Sequence, residues 1–123
     1  PLYDELKNIV FKTVGMIGSI KEVLQKVGSA DYAFIYGSYA KAIENYLSDI
    51  DIIVIGKCDE DKLIEGFDRL EELLKREVNY KLYTLSDFKK EIRLKEPFLL
   101  NILQDKKIML IGEENALRKI LKG

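Results

Sequence analysis

The sequence predicts an α/β (α+β) fold in which helices pack against a mixed β-sheet. Four short apolar runs have the length and composition of strands, and the segments between them carry the apolar spacing of amphipathic helices. The predicted order is helix, strand, strand, helix, strand, two helices, strand and helix. With 123 residues, the chain is expected to form a single domain over 1–123, with an N-terminal helical segment at 1–28 and a core at 29–123.

The composition limits the class of protein and the chemistry of any metal site. Hydrophobic residues make up 47% and charged residues 33%, as in a globular protein without a membrane span. No signal peptide opens the chain, so the cytoplasm is the predicted compartment. Cys58 is the sole cysteine and histidine is absent, so any metal must be a hard cation held by oxygen. The chain starts at Pro1, which leaves open a removed initiator Met or a longer parent protein.

The first helix is predicted from an apolar stripe over 2–27, with Thr13 as its polar exception. Gly15 and Gly18 each cost a helix about 1 kcal/mol relative to Ala, so one helix or two shorter ones remain open. The helix either packs on the core or serves as a dimerisation or connecting helix. The stripe comprises Leu2, Leu6, Ile9, Met16, Ile20, Val23 and Val27.

Two strands are predicted next. The run 33–36 is a short strand, after which Ser38 caps a short helix to about Ile43 and 44–47 forms a loop. The run 50–55 is apolar on both faces beyond its first residues, which is typical of a central strand. We expect Gly56 to end this strand.

Asp59 is predicted to cap the next helix, which runs to about Arg76 and is followed by a strand over 78–84. The buried side of this helix is expected to hold Leu63, Ile64, Phe67, Leu70, Leu73 and Leu74.

The remaining helices are predicted over 86–94, 97–104 and 116–121, the first capped by Ser86. A last strand is predicted over 108–111.

The pair Gly37-Ser38 is a candidate phosphate site. A strand that ends in Gly-Ser and passes into a helix presents free backbone N–H groups, and the missing Cβ of glycine lets a phosphate approach. Ser38 can donate its hydroxyl to a phosphate oxygen, and Lys41 can reach the same phosphates. Most Gly-Ser pairs are ordinary turns, so this pair alone is weak evidence.

Asp49 and Asp51 are candidate metal ligands. Aspartate is disfavoured in strands, yet two of them open an apolar run and point to the same side, with Cα atoms roughly 6.6 Å apart. Two such carboxylates repel unless a cation lies between them or one is protonated, and Mg²⁺ is bound by one or two carboxylates plus substrate phosphates. The alternative is a pair merely solvated at the strand entrance. The Gly-Ser pair upstream favours the metal site.

The combined pattern resembles the signature of the DNA polymerase β nucleotidyltransferase superfamily, and most of all its minimal archaeal and bacterial members. Gly37-Ser38, ten intervening residues and Asp49-Ile50-Asp51 match it, with Ser48 before the acids and an apolar strand after them. The resemblance covers about 32–112. It implies a polymerase β-like fold and a transferase that uses Mg²⁺ or Mn²⁺ with an NTP, ATP being the expected one.

The resemblance also implies roles for individual residues. Asp49 and Asp51 would be the catalytic and metal-binding residues. The family commonly has a basic residue at the position of Lys41. The nucleotide-binding residues would be Gly37, Ser38, Lys41 and Ser48.

One departure from the family pattern leaves two functions open. Active members place a third carboxylate on the next strand, whereas 78–84 contains no acid. Asn79 can ligate a metal but cannot act as a base, and the Lys81 ammonium can lean toward the Asp pair in place of a metal. The chain either transfers a nucleoside monophosphate to an acceptor hydroxyl or is a nucleotide-binding regulatory module that has lost this chemistry.

The resemblance carries expectations about partners as well. The acceptor hydroxyl would belong to a small molecule or to a Tyr or Ser of a partner protein, as in antitoxin-like members. The C-terminal half, from Arg76 to Gly112, is similar to domains found after a winged-helix DNA-binding domain, which would serve a transcription regulator or a toxin–antitoxin pair. With a net charge of −1 and no basic stripe, this domain is not expected to bind DNA itself. A homodimer stays open.

Overall fold

The computed structural model describes residues 15–36 and 49–122, with side chains described as far as residue 120. This part of the chain contains four strands and five helices. In chain order they are α1 (15–26), β1 (Gly28–Tyr36), β2 (Ile50–Cys58), α2 (Glu60–Leu74), β3 (Val78–Tyr83), α3 (Leu85–Arg93), α4 (Pro97–Gln104), β4 (Ile108–Ile111) and α5 (Glu114–Lys122). The predicted helix at 38–43, the loop at 44–47 and the start of the first helix lie outside the described residues.

The strands form one mixed sheet in the order β3-β2-β1-β4, which confirms the predicted fold class. β1 runs antiparallel to both β2 and β4, whereas β2 and β3 are parallel. Parallel neighbours need a crossover connection, and α2 provides it.

Helices cover both faces of the sheet, so β2 is buried on both sides as predicted. On the first face α1 and α2 pack over Ile50, Ile52 and Val54, and on the second face α3, α4 and α5 pack over Ile53 and Ile55. Because side chains alternate along a strand, Asp51 belongs to the second face.

The described part of the first helix is continuous through Gly18, so no break occurs at that position. Three residues of the predicted stripe, Met16, Ile20 and Val27, are buried. Leu24, which the predicted stripe did not include, is also fully buried, because it belongs to the first-face core together with residues of the sheet and of α2. Within the described segments, no helix combines the length and apolar content that a membrane span requires.

The predicted cap of α2 is confirmed, but two of its predicted core residues are exposed. Asp59 Oδ1 accepts hydrogen bonds from the backbone N–H groups of Asp61 and Lys62 at 3.1 and 3.3 Å. Ile64 and Leu73 are 42% and 69% exposed. With 3.6 residues per turn they lie roughly 80–100° from the centre of the buried stripe, where α2 no longer faces the sheet.

Gly56 does not end β2, which is a correction to the sequence prediction. The strand continues to Cys58, and Gly56 lies opposite an irregularity in β1, where the register shifts between Ala30 and Tyr32. Its φ is +146°, and a Cβ there would lie 2.4 Å from the carbonyl oxygen of Ser29. Glycine is therefore required by the close approach of β1.

Two helix starts in the second half also differ from prediction. Thr84, not Ser86, caps α3, because its Oγ1 accepts from the Asp87 N–H at 3.1 Å. α5 begins at Glu114, two residues before its predicted start. The predicted strand over 108–111 and the helix opened by Pro97 are both confirmed.

We expect Gly56→Ala to lower the free energy of unfolding by about 2–4 kcal/mol, because the new Cβ would collide with the β1 backbone at a strained φ. Urea titration followed by circular dichroism measures the change. Gly18→Ala is the matched control. Among the described residues, no atom lies within 4 Å of a Cβ at Gly18, and the substitution should raise stability by about 0.5–1 kcal/mol. Equal effects of the two substitutions would contradict the requirement for glycine at position 56.

Asp59→Ala should cost about 1 kcal/mol, because two N–H groups in the first turn of α2 lose their acceptor. Asp68→Ala removes the same charge from an exposed position within that helix and should change stability by less than half as much. Thermal unfolding of both variants at the same pH compares them. A smaller loss for Asp59→Ala than for Asp68→Ala would show that capping does not stabilise the helix.

Candidate functional site

The two predicted metal ligands lie at the start of β2. Asp49 directly precedes the strand and is exposed, and Asp51 is its second residue and is half-buried. Gly37, Ser38, Lys41 and Ser48, predicted to bind nucleotide, lie outside the described residues. The described site is therefore the sheet edge around the acid pair.

Asp51 is flanked on both sides by residues of neighbouring strands. It is in register with Tyr36, the last residue of β1, and with Asn79, the second residue of β3. These three positions share one edge of the sheet because β1 ends where β2 and β3 begin. Tyr36 immediately precedes the Gly-Ser pair in the sequence.

Asn79 contacts Asp51 directly. Its Nδ2 donates a hydrogen bond to Asp51 Oδ1 at 3.3 Å. Asn79 thus holds one oxygen of the carboxylate and leaves the other oxygen available. β3 therefore carries an amide and no carboxylate at the position in register with Asp51.

Lys81 is directed at an aromatic ring and not at the acid pair. Its Nζ lies 3.7 Å from the centroid of the Phe98 ring, within cation–π distance. Phe98 in turn meets Tyr36 edge to face, with centroids 5.7 Å apart and ring planes at 88°. Lys81, Phe98 and Tyr36 therefore form a wall beside Asp51 on the second face.

Sequence reasoning missed Tyr36 and Phe98 as parts of this site. Burial raises the pKa of the Tyr36 phenol, and the nearby Asp51 carboxylate raises it further. The phenol is accordingly protonated at neutral pH and able to donate a hydrogen bond. The signal in the sequence for Tyr36 was its position just before Gly37. No local sequence pattern indicates that Phe98 lies beside Tyr36.

Arg76 is a buried residue that contacts α1 and interacts electrostatically with Asp49. It is only 7% exposed, and its Nη1 lies 3.2 Å from the sulfur of Met16 in α1. Burial lowers the pKa of the guanidinium, and Asp49 opposes that shift by favouring its charged form. A buried positive charge therefore acts on Asp49.

The donor set fits a hard divalent cation. Asp49 and Asp51 offer accessible carboxylate oxygens, and neither forms an ion pair with any cation in the described segments. Mg²⁺ keeps several waters and is commonly held by one or two carboxylates with substrate phosphates. Within the described segments, 15–36 and 49–122, no group of three or more His, Cys, Asp or Glu side chains could hold a metal ion. Two carboxylates are what this edge provides.

Solved structures show the same fold. One is a chain of a mutant MntA–HpeT toxin–antitoxin complex, with a TM-score of 0.56 and 18% identity over 86% of this chain and 80% of that one. That mutant replaces two aspartates, separated by one residue, with glutamate. Another is a chain from the complex between the tri-AMPylated Shewanella oneidensis HEPN toxin and the MNT antitoxin, with a TM-score of 0.52 and 18% identity over 89% of this chain and 80% of that one.

Sequence comparison gives the family. No curated protein matches the chain at a significant level. The family model described as polymerase beta, nucleotidyltransferase, matches residues 18–115, which include both aspartates and all four strands. Because this match spans well over half of the sequence and the fold agrees with it, the chain belongs to the polymerase beta nucleotidyltransferase family.

Proposed function

We propose that this domain binds an NTP, ATP being the expected one, together with Mg²⁺ or Mn²⁺, and transfers the nucleoside monophosphate to a hydroxyl group of a partner protein. The observation that carries this proposal is the position of Asp51, in register with Tyr36 and Asn79 at an accessible sheet edge. The family match supports the class of reaction.

In this proposal the two aspartates hold the cation, and the Gly-Ser pair holds the phosphates. Asp49 and Asp51 would each give a carboxylate oxygen, and Asn79 would keep Asp51 oriented through the bond to Oδ1. Tyr36 connects the two halves of the site, since it pairs with Asp51 and precedes Gly37. The other residues assigned to the nucleotide are Ser38, Lys41 and Ser48.

The reaction would be an in-line displacement at the α-phosphorus. The acceptor oxygen forms a bond to this phosphorus, the bond to the oxygen bridging the α- and β-phosphates breaks, and pyrophosphate leaves with the electron pair. The hydroxyl proton passes to solvent water, because β3 supplies no carboxylate to accept it. The bound cation would supply charge neutralisation at the phosphates.

Two observations favour a protein as acceptor. Asp49, Asn79 and Lys81 are all exposed, so the site opens directly to the surface, where a side chain of another protein can approach. In the Shewanella complex, the toxin bound to the MNT antitoxin carries three AMP groups. A chain with the same fold thus occurs in a complex that contains an AMP-modified protein.

Asp51→Asn should lower the rate of nucleotide transfer by about 100-fold, since a lost metal ligand removes several kcal/mol of transition-state stabilisation. The purified protein is incubated with α-labelled ATP, Mg²⁺ and extract of the source cells, and labelled proteins are counted after electrophoresis. Asp68→Asn, the same change on the exposed face of α2, should leave the labelling unchanged.

The regulatory alternative predicts a different result in the same assay. It is favoured by Asn79, which stands in register with Asp51 where an acid would assist transfer. A regulatory module would bind ATP with Mg²⁺ but label no protein above the Asp51→Asn background. Failure to bind ATP in equilibrium dialysis would reject both functions.

A further inference from the structure

We propose that this site takes a single divalent cation with its nucleotide, and that Asn79 and Lys81 of β3 assume the tasks of a second cation. Asn79 is the positioning residue for Asp51, and Lys81 supplies the second positive charge to the triphosphate. The inference rests on the proposed function, because it concerns how the same site holds an NTP.

The position of Asn79 is the first support. Asn79 is in register with Asp51, and its amide donates to Oδ1 at 3.3 Å. The amide N–H occupies one of the two lone pairs of Oδ1 and, unlike a carboxylate at this position, brings no negative charge that would attract a second cation. The other oxygen of Asp51 and the exposed Asp49 carboxylate remain for one ion.

The position of Lys81 is the second support. It lies two residues after Asn79 on β3, so the two side chains share a face of the sheet, with Cα atoms roughly 6.6 Å apart. Lys81 is exposed, and its ammonium rests on the ring of Phe98, which also contacts Tyr36. The ring thus holds a positive charge on the face that carries Asp51, where the phosphates of a bound nucleotide would attract it.

The surrounding charges also disfavour a second dication. Two-metal sites hold ions about 3.5–4 Å apart and need ligands for both. Here the acid pair has the Lys81 ammonium on the same face and the buried Arg76 guanidinium close enough to act on Asp49. Each positive charge repels an additional dication and also offsets the negative charge of a triphosphate.

The test is to count Mn²⁺ ions bound with the nucleotide. The protein is titrated with Mn²⁺ in the presence of α,β-methylene-ATP, whose P–C–P bridge cannot be cleaved, and free Mn²⁺ is measured by electron paramagnetic resonance. The wild type should bind one Mn²⁺ per nucleotide. Asn79→Asp should bind two, because a carboxylate then stands beside Asp51. Metal count is a readout that a purely structural role for Asn79 would not change.

Lys81 is tested by nucleotide affinity in the same preparation. Lys81→Met should weaken binding of α,β-methylene-ATP by about tenfold while one Mn²⁺ remains bound, because one charge opposite the phosphates is lost. Lys81→Arg should restore most of the affinity. Lys89→Met removes an exposed cation from α3 and serves as the matched control. Thermal unfolding confirms that each variant is folded.

The outcomes separate this inference from the proposed function. Two Mn²⁺ ions per nucleotide in the wild type would overturn the inference and leave the proposed function standing. A single ion in Asn79→Asp would overturn the role of Asn79, and equal affinities of Lys81→Met and Lys89→Met would overturn that of Lys81. No bound nucleotide in the wild type would overturn both the inference and the function on which it rests.

Discussion

The pairing of β2 with its two neighbours is the constraint on which the site depends. Since β1 is antiparallel and β3 parallel to β2, the end of one strand and the starts of the other two meet at a single edge. Ile50, Ile52 and Val54 must face the first core, so Asp51 is turned to the second face. A slip of one residue would exchange these faces and turn the Asp51 carboxylate toward the first core. The burial of β2 therefore fixes the orientation of its acid.

Local signals in the sequence predicted much of this structure. The apolar runs located all four strands, and Asp59 and Pro97 marked the starts of two helices. What the sequence did not predict depends on contacts between distant segments. The sequence predicts a strand end at Gly56, yet this glycine is required because the backbone of β1 approaches it closely. Leu73 fits the apolar spacing of α2, yet it is exposed because its side of the helix does not face the sheet.

The same distinction applies to the candidate site. The spacing of Asp49 and Asp51 was visible in the sequence, because a strand places alternate side chains on one side. The aromatic wall was not, since Phe98 reaches Tyr36 only after α4 has packed on the second face. The hydrogen bond from Asn79 to Asp51 was not visible either, because it depends on the pairing of β3 with β2.

The position of β3 at the rim of the described sheet has an evolutionary consequence. Asn79 and Lys81 are exposed, so their side chains can be exchanged without repacking either core. Codons for asparagine and aspartate differ by one base. A lineage carrying this domain can therefore acquire or discard an acid at Asn79 by one point mutation, and divergence between catalysts and sensors requires no new architecture.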